Sequence, residues 1–180
     1  MEEQDIRVNY NYIKDVEFGI VNVSTSADLI EFSEDYDEKI SPLGSSRMYL
    51  FNPELFNDWT GMLLESDGVS GDLYTVVEGL EDYYRKGDIT GLVLVIDDFE
   101  IKEHLRGKGL GLKSLKKVLK DLPFMGIDLV GLIPGFYGKS PEGNTQRNNK
   151  IQFFYKKCGF EIVNPKASMP VMGKYLHLRD

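Results

Sequence analysis

Arg106-Gly107-Lys108-Gly109-Leu110-Gly111 lies between an apolar, β-branched run, Gly91-Leu92-Val93-Leu94-Val95-Ile96, and a run patterned as a helix, Leu112 to Leu122. A glycine-rich turn that leaves a strand and opens a helix points several backbone N–H groups at one spot. The positive end of the helix dipole stands behind them, and the result is an anion site. Glycines let the backbone approach the ligand closely, and Arg106 and Lys108 add two cations. That combination suits a pyrophosphate better than a single carboxylate.

Known phosphate loops narrow the ligand. The dinucleotide fingerprint needs G-x-G-x-x-G, but the glycines here run G-x-G-x-G and Leu112 stands where the third should be. A P-loop needs glycine directly before Lys-Ser, and this chain has Leu112-Lys113-Ser114. A third reading, a nucleotide-binding protein using the same turn, is disfavoured by both failures. What fits is R-x-x-G-x-G after a strand ending in Ile101, which resembles the acetyl-CoA loop of the GNAT superfamily of N-acetyltransferases. Leu112 departs from the small or hydroxylated residue often found after that turn, which would remove one auxiliary phosphate contact.

A second stretch agrees. Asn149-Lys150-Ile151-Gln152-Phe153-Phe154-Tyr155-Lys156-Lys157-Cys158-Gly159-Phe160 resembles the second GNAT signature, an asparagine, then a phenylalanine-tyrosine pair, then Gly-Phe. Its parts also read from first principles. Ile151, Phe154 and Tyr155 recur at helical spacing, Lys156 and Lys157 suit a helix C-terminus, and Gly159 suits the left-handed residue that ends it.

The resemblance covers roughly residues 89 to 163, with a weaker echo at Ser70-Gly71-Asp72-Leu73. It implies an α+β fold, a mixed and mostly antiparallel sheet with helices on both faces, in which a splayed parallel strand pair forms the cofactor cleft. The whole chain, residues 1–180, would be one such domain, with 89–163 as the cofactor-binding core and 1–88 shaping the acceptor side. The implied activity is transfer of an acetyl group from acetyl-CoA to a primary amine by direct attack in a ternary complex. The alternative is a module of the same fold that holds acyl-CoA, or regulates, without turnover.

This chemistry needs a base, because an alkylamine with a pKa of about 10.4 is nucleophilic in only about one molecule in a few thousand at pH 7. Asp97, Asp98 and Glu100 end the cofactor strand, where such enzymes often place a carboxylate that takes the proton through water. The pattern Leu94-Val95-Ile96-Asp97-Asp98-Phe99-Glu100-Ile101 favours Asp97 slightly over Glu100. Simple alternation puts Asp97 with Phe99 and Ile101, an assignment that a bulge would change. The leaving thiolate needs an acid, and Tyr155 occupies the tyrosine position of the second motif. The resemblance assigns the oxyanion donor to a backbone N–H near Ile101. It gives the cofactor contacts to Arg106, Gly107, Lys108, Gly109, Leu110, Gly111 and Asn149. A helix N-cap is an equal reading of Asn149. His104 matches no catalytic position, and Cys158 reads as a packed residue rather than a nucleophile.

Composition sets outer bounds. A chain of 180 residues, 42% hydrophobic and 28% charged, can bury one core. One cysteine and two histidines far apart give no internal disulfide and argue against a metal site. The acidic start Met1-Glu2-Glu3-Gln4-Asp5 is unlike a signal peptide, and no apolar run is long enough to span a bilayer, so a cytoplasmic protein without membrane attachment is expected. The formal charge of −8 opposes nucleic-acid binding, yet Arg106, Lys108, Lys113, Lys116, Lys117 and Lys120 gather at the glycine turn and its helix. The remaining surface is acidic. The expected partner is therefore a cationic amine, small or peptidic, with Glu31, Glu34, Asp35, Asp37 and Glu38 as candidates for the rim of its site and Asp97 and Asp98 deeper in.

Along the chain, Ile6, Val8, Tyr10 and Tyr12 alternate, and Phe18 to Val23 is rich in strand formers, predicting two strands joined near Lys14-Asp15. Glu31 to Glu38 reads as an exposed loop or frayed helix. Asn52-Pro53-Glu54 predicts a helix start whose apolar face runs from Leu55 through Trp59 to Leu63. Gly68 to Gly71 breaks it, and a second helix runs from about Ser70 to Lys86, with Gly79 inside. The strand ending at Ile101, the helix closed by Pro123 and a strand Ile127 to Ile133 form a crossover that makes the two strands parallel. Pro134 to Asn148 is a polar loop of functional length. Strands at Phe160 to Val163 and around Lys174 to Leu178 follow the second motif.

Overall fold

The computed structural model describes residues 4–14, 19–32, 37–56, 58–87, 90–135, 144–164 and 170–176. Seven strands, β1 (Gln4–Lys14), β2 (Ile20–Phe32), β3 (Glu38–Phe51), β4 (Leu92–Ile101), β5 (Ile127–Leu132), β6 (Glu161–Asn164) and β7 (Val171–Tyr175), form one sheet. Its order is β1-β2-β3-β4-β5-β7-β6. β4 and β5 pair in parallel and the other described pairs are antiparallel. The helices are α1 (Trp59–Val69), α2 (Gly71–Lys86), α3 (Leu110–Asp121) and α4 (Asn144–Lys157).

Both faces of the sheet are covered, as a strand pair buried on both sides requires. Val93, Val95 and Leu129 point into a core built with Trp59 and Met62 of α1 and Leu73, Val76, Val77 and Leu80 of α2. Leu94, Ile96, Val130 and Leu132 point the other way, into a core with Leu115, Val118 and Leu119 of α3 and, from α4, the half-buried Phe154 and Tyr155. A third cluster, Ile6, Ala27, Leu29, Leu43, Ile101 and Leu110, seats the first turn of α3 on the N-terminal strands.

Gly79 lies where α2 approaches the sheet most closely. A Cβ there would stand 2.6 Å from Cγ2 of Val171, so the helix accepts the conformational cost of glycine in return for close packing on β7.

The N-terminal half departs from the sequence reading in two places. Asn52 does cap, accepting from the N–H of Glu54 at 3.1 Å, but only a single 3-10 turn, Pro53–Leu55, follows. The helix proper starts afresh at Trp59 under a new cap, Asp58, whose carboxylate accepts from Gly61 N–H at 3.0 Å. Leu55, expected on the buried face, is consequently exposed.

The other departure is β3, a strand unassigned from sequence, which holds the turn-rich Pro42-Leu43-Gly44-Ser45-Ser46. Pairing on both sides overrides that local preference. Glu31, expected in a loop or frayed helix, lies within β2 opposite Lys39 of β3, and Glu38 opens β3. Residues 33–36, with Glu34 and Asp35 of the acidic stretch, lie outside the described residues, as do 136–143 of the polar loop and the C-terminal part of the strand expected around Lys174 to Leu178, where β7 ends at Tyr175. α4 begins at Asn144, inside the stretch read as loop. No helix among the described residues is long and apolar enough to cross a membrane.

Candidate active site at the splayed strands

The parallel pairing of β4 with β5 stops at Ile96 and Leu132. β4 runs on to Ile101 alongside β3, whereas the chain beyond β5 leaves through Ile133, Pro134 and Gly135. The two strands therefore part, and an open cleft of about 960 Å³ lies at the fork. Its walls include Ile96 to Ile101 of β4, Gly107, Gly109, Gly111 and Leu112 of the turn and α3, and Lys150, Ile151, Phe154 and Tyr155 of α4.

A β-bulge starts the fork. Met48 of β3 pairs with Ile96 and Arg47 pairs with Asp98, so Asp97 is the extra residue. The bulge resets the alternation. Phe99 returns to the α3 side with Leu94 and Ile96, where its ring stacks on Phe154 at 6.2 Å between centroids. Asp97 is thus separated from Phe99 and Ile101, with which simple alternation grouped it. Its carboxylate instead accepts from Nε of Arg47 at 2.6 Å.

The glycine turn takes its shape from two left-handed residues, Gly107 at φ 78° and Gly109 at φ 77°. Such φ values exclude ordinary side chains without strain. Gly109 is the N-cap of α3 and offers no side chain to the helix end. The first intrahelical bond runs from Lys113 N–H to Gly109 C=O at 3.2 Å. The N–H groups of Leu110, Gly111 and Leu112 precede it and are left for a ligand at the positive end of the dipole. A Cβ on Gly107 or Gly109 would meet nothing within 4 Å, so the space beside the turn is open.

The residues read from sequence take distinct places. Arg106 donates from Nε to Ile101 C=O at 2.7 Å and from Nη2 to Glu100 at 2.9 Å, holding the turn against the end of β4. Lys108 is exposed at the turn, whereas Leu110 is buried against Ile101. Asn149 lies inside α4, which excludes the N-cap reading, and its neighbours Lys150 and Ile151 border the cleft. His104 is exposed, and Cys158 is buried, with burial pushing its thiol pKa up.

Tyr155 is held edge-on by Phe154 and Phe160, at 5.1 and 5.7 Å between centroids, and borders the cleft. Burial pushes its hydroxyl above the ordinary tyrosine range, and the negative charges of Asp98 and Cys158 add to the shift. The hydroxyl is a protonated donor across the neutral range.

On the α2 side of the fork lies a second cavity of about 300 Å³, lined by Arg47 of β3, Asp72, Leu73 and Val76 of α2, and Val95. It shares Ile96, Asp97, Asp98, Ile133 and Gly135 with the larger cleft, so the two meet at the bulge. Sequence reading missed Arg47 and the role of Asp72 in this lining. Arg47 lies on the unrecognised strand, and Asp72 reads as an ordinary first-turn acid.

Among solved structures, the chain is similar to NAA60 of Arabidopsis thaliana in complex with acetyl-CoA, with a TM-score of 0.50 and 11% identity, covering 96% of this chain and 99% of that one. The chain has the GNAT fold. It is also similar to the mosquito arylalkylamine N-acetyltransferase like 5b, with a TM-score of 0.50 and 12% identity, covering 85% of this chain and 74% of that one. No family model matches the GNAT-fold chain, and no curated protein matches it in sequence. At these identities the likeness establishes architecture alone, and chemistry has to be argued from this chain's own residues.

Proposed function

We propose that this protein is an acetyl-CoA-dependent N-acetyltransferase that acts on a primary, cationic amine by direct attack in a ternary complex. One observation carries the reading. A left-handed glycine turn with free helix N–H groups and a protonated Tyr155 border the same cleft, at the fork of β4 and β5. The pyrophosphate is held by the N–H groups opening α3, with Lys108 beside them. Arg106 contributes by bracing the turn, and Asn149 contributes from α4. Binding of acetyl-CoA in the solved NAA60 complex supports this choice of acyl donor.

The amine nitrogen attacks the thioester carbonyl. Negative charge developing on that oxygen is met by backbone N–H near Ile101, beyond the bulge where β5 no longer pairs. As the C–S bond breaks, the thiolate takes the Tyr155 proton and the second proton of the attacking nitrogen restores the tyrosine; the first, lost before attack, passes through water to a strand-end carboxylate. Asp97 and Glu100 each already accept from an arginine. Asp98 borders both cavities and its charge reaches Tyr155, which makes it the best-placed acceptor of that proton, with Asp97 beside it.

Glu31 and Lys39 form an ion pair at the far end of the β2–β3 hairpin. Lys39 and Arg47 are eight residues apart on β3, roughly 26 Å at ordinary strand rise. Acidic charge next to the fork comes from Asp97 and Asp98, as expected from sequence, and from Asp72, and these attract a cation.

Incubation with acetyl-CoA and a panel of amines, with free thiol release followed, tests the proposal. Thiol release and acetylated amine in equal amounts are expected. Binding of acetyl-CoA with no release for any amine would assign the alternative, a module that holds acyl-CoA without turnover.

A further inference from the structure

The smaller cavity carries a reading of the acceptor itself, which rests on the acetyl-transfer proposal. Its lining holds one guanidinium and three carboxylates. Arg47 is matched by Asp97 at 2.6 Å. Among the described residues neither Asp72 nor Asp98 forms an ion pair, although the charge of Arg47 also reaches Asp98. Leu73, Val76, Val95, Ile96 and Ile133 add aliphatic surface to a lining that is otherwise polar. Asp98 stands at the junction with the acyl cleft, and Asp72 is reached only from the α2 side. At about 300 Å³ the space is at the lower end of small-molecule sites, which typically run from about 300 to 1,000 Å³.

We infer that this cavity takes a small dication, a short linear alkyl diamine, with one nitrogen delivered to the fork beside Asp98 and the other held as an ammonium by Asp72. The methylene chain lies against the aliphatic side chains of the lining. A free amino acid fits poorly, because Asp97 already engages the guanidinium that would receive its carboxylate. A lysine side chain on a peptide brings one cation for two carboxylates. Transfer would release a monoacetylated diamine, CoA thiol and one proton.

The test compares diaminobutane and diaminopentane with butylamine and pentylamine, with a lysine peptide alongside, by kcat/KM for thiol release from acetyl-CoA. Asp72 is exposed, so its ammonium contact is worth up to about 1 kcal/mol, or roughly a fivefold preference for the diamine. Asp72→Asn should bring the diamine-to-monoamine ratio towards one, and Asp72→Glu should keep most of it. The preference should also shrink with rising salt. Equal rates for diamine and monoamine, a ratio unchanged in Asp72→Asn, or a peptide preferred over the diamine would each overturn the inference while acetyl transfer stands. If no amine is acetylated and calorimetry shows no binding of CoA, both readings fall together.

Discussion

Nε of Arg106 donates to the carbonyl oxygen of Ile101 at 2.7 Å, which ties the glycine turn to the last residue of β4. Arg106 therefore couples the phosphate-facing turn to the strand that carries the bulge. Acetyl-CoA at a hundredfold excess over its dissociation constant should stabilise the protein by about 2.7 kcal/mol. Arg106→Ala should reduce that stabilisation markedly while changing ligand-free stability by less than about 1 kcal/mol, since the side chain is half exposed. Arg106→Lys should rescue little, because an ammonium cannot reproduce the guanidinium fork. An unchanged thermal shift in Arg106→Ala would remove this role.

Gly109 tests the turn itself. With φ at 77° an L side chain costs about 1–2 kcal/mol, so Gly109→Ala should lower Tm by a few degrees. Gly109→Asp should in addition abolish stabilisation by acetyl-CoA, by placing a carboxylate beside the free N–H groups of α3. Calorimetric binding that survives Gly109→Asp would mean that the pyrophosphate lies elsewhere.

Tyr155→Phe removes only a hydroxyl. Turnover should fall by about 10²-fold with little change in acetyl-CoA affinity. The folded pKa of Tyr155 lies above its unfolded value of about 10. Stability from this group is therefore complete below pH 10 and is lost as pH rises through the folded value. Tyr155→Phe should melt less steeply with pH than the parent above pH 10. Tyr10 and Tyr83 are raised as well, chiefly by burial, so part of the loss remains. Unchanged turnover would make Tyr155 a packing residue.

The three strand-end carboxylates should separate by variant. Asp98→Asn should lower kcat/KM by about 10²-fold near neutral pH and recover as the amine deprotonates in solution. Asp97→Asn leaves Arg47 without its partner in the acceptor cavity and should act more on acceptor KM than on kcat. Glu100→Gln loosens Arg106 and should weaken acetyl-CoA binding. An acidic limb of the pH–rate profile that depends on Asp97 or Glu100, and not on Asp98, would reassign the base.

Gly79→Ala should destabilise, although alanine is the better helix former. The new Cβ would sit 2.6 Å from Val171 Cγ2, and overpacking of this kind costs about 1–3 kcal/mol. Denaturant midpoints would show it, and a stabilised variant would mean that α2 sits further from β7.

Features that depend on near neighbours in the chain were legible from the sequence. Glycines at 107 and 109 imply left-handed backbone, and the apolar period after them implies α3, so the open N-terminus of that helix follows from a few consecutive residues. The spacing of Ile151, Phe154 and Tyr155, ended by Gly159, did the same for α4. Crossover through α3 made β4 and β5 parallel, and a mixed, mostly antiparallel sheet could be expected from the resemblance these two motifs carry.

Tertiary structure alone decided whatever depends on partners distant in sequence. The stretch from Pro42 to Arg47 has loop composition, and it is a strand because β2 and β4 pair with it from both sides. Ser46 is acceptable there because its hydroxyl bonds that of Thr25 at 2.6 Å in a buried pair. That strand brings Arg47 to Asp97, and its pairing sets the bulge that separates Asp97 from Phe99 and leaves Asp98 at the meeting of two cavities. A strand register is a property of two chains of hydrogen bonds far apart in sequence, and shifting it by one residue moves every following side chain to the other face. For that reason the glycine turn and its helix could be read from the chain, while the surroundings of each strand-end carboxylate came only with the fold.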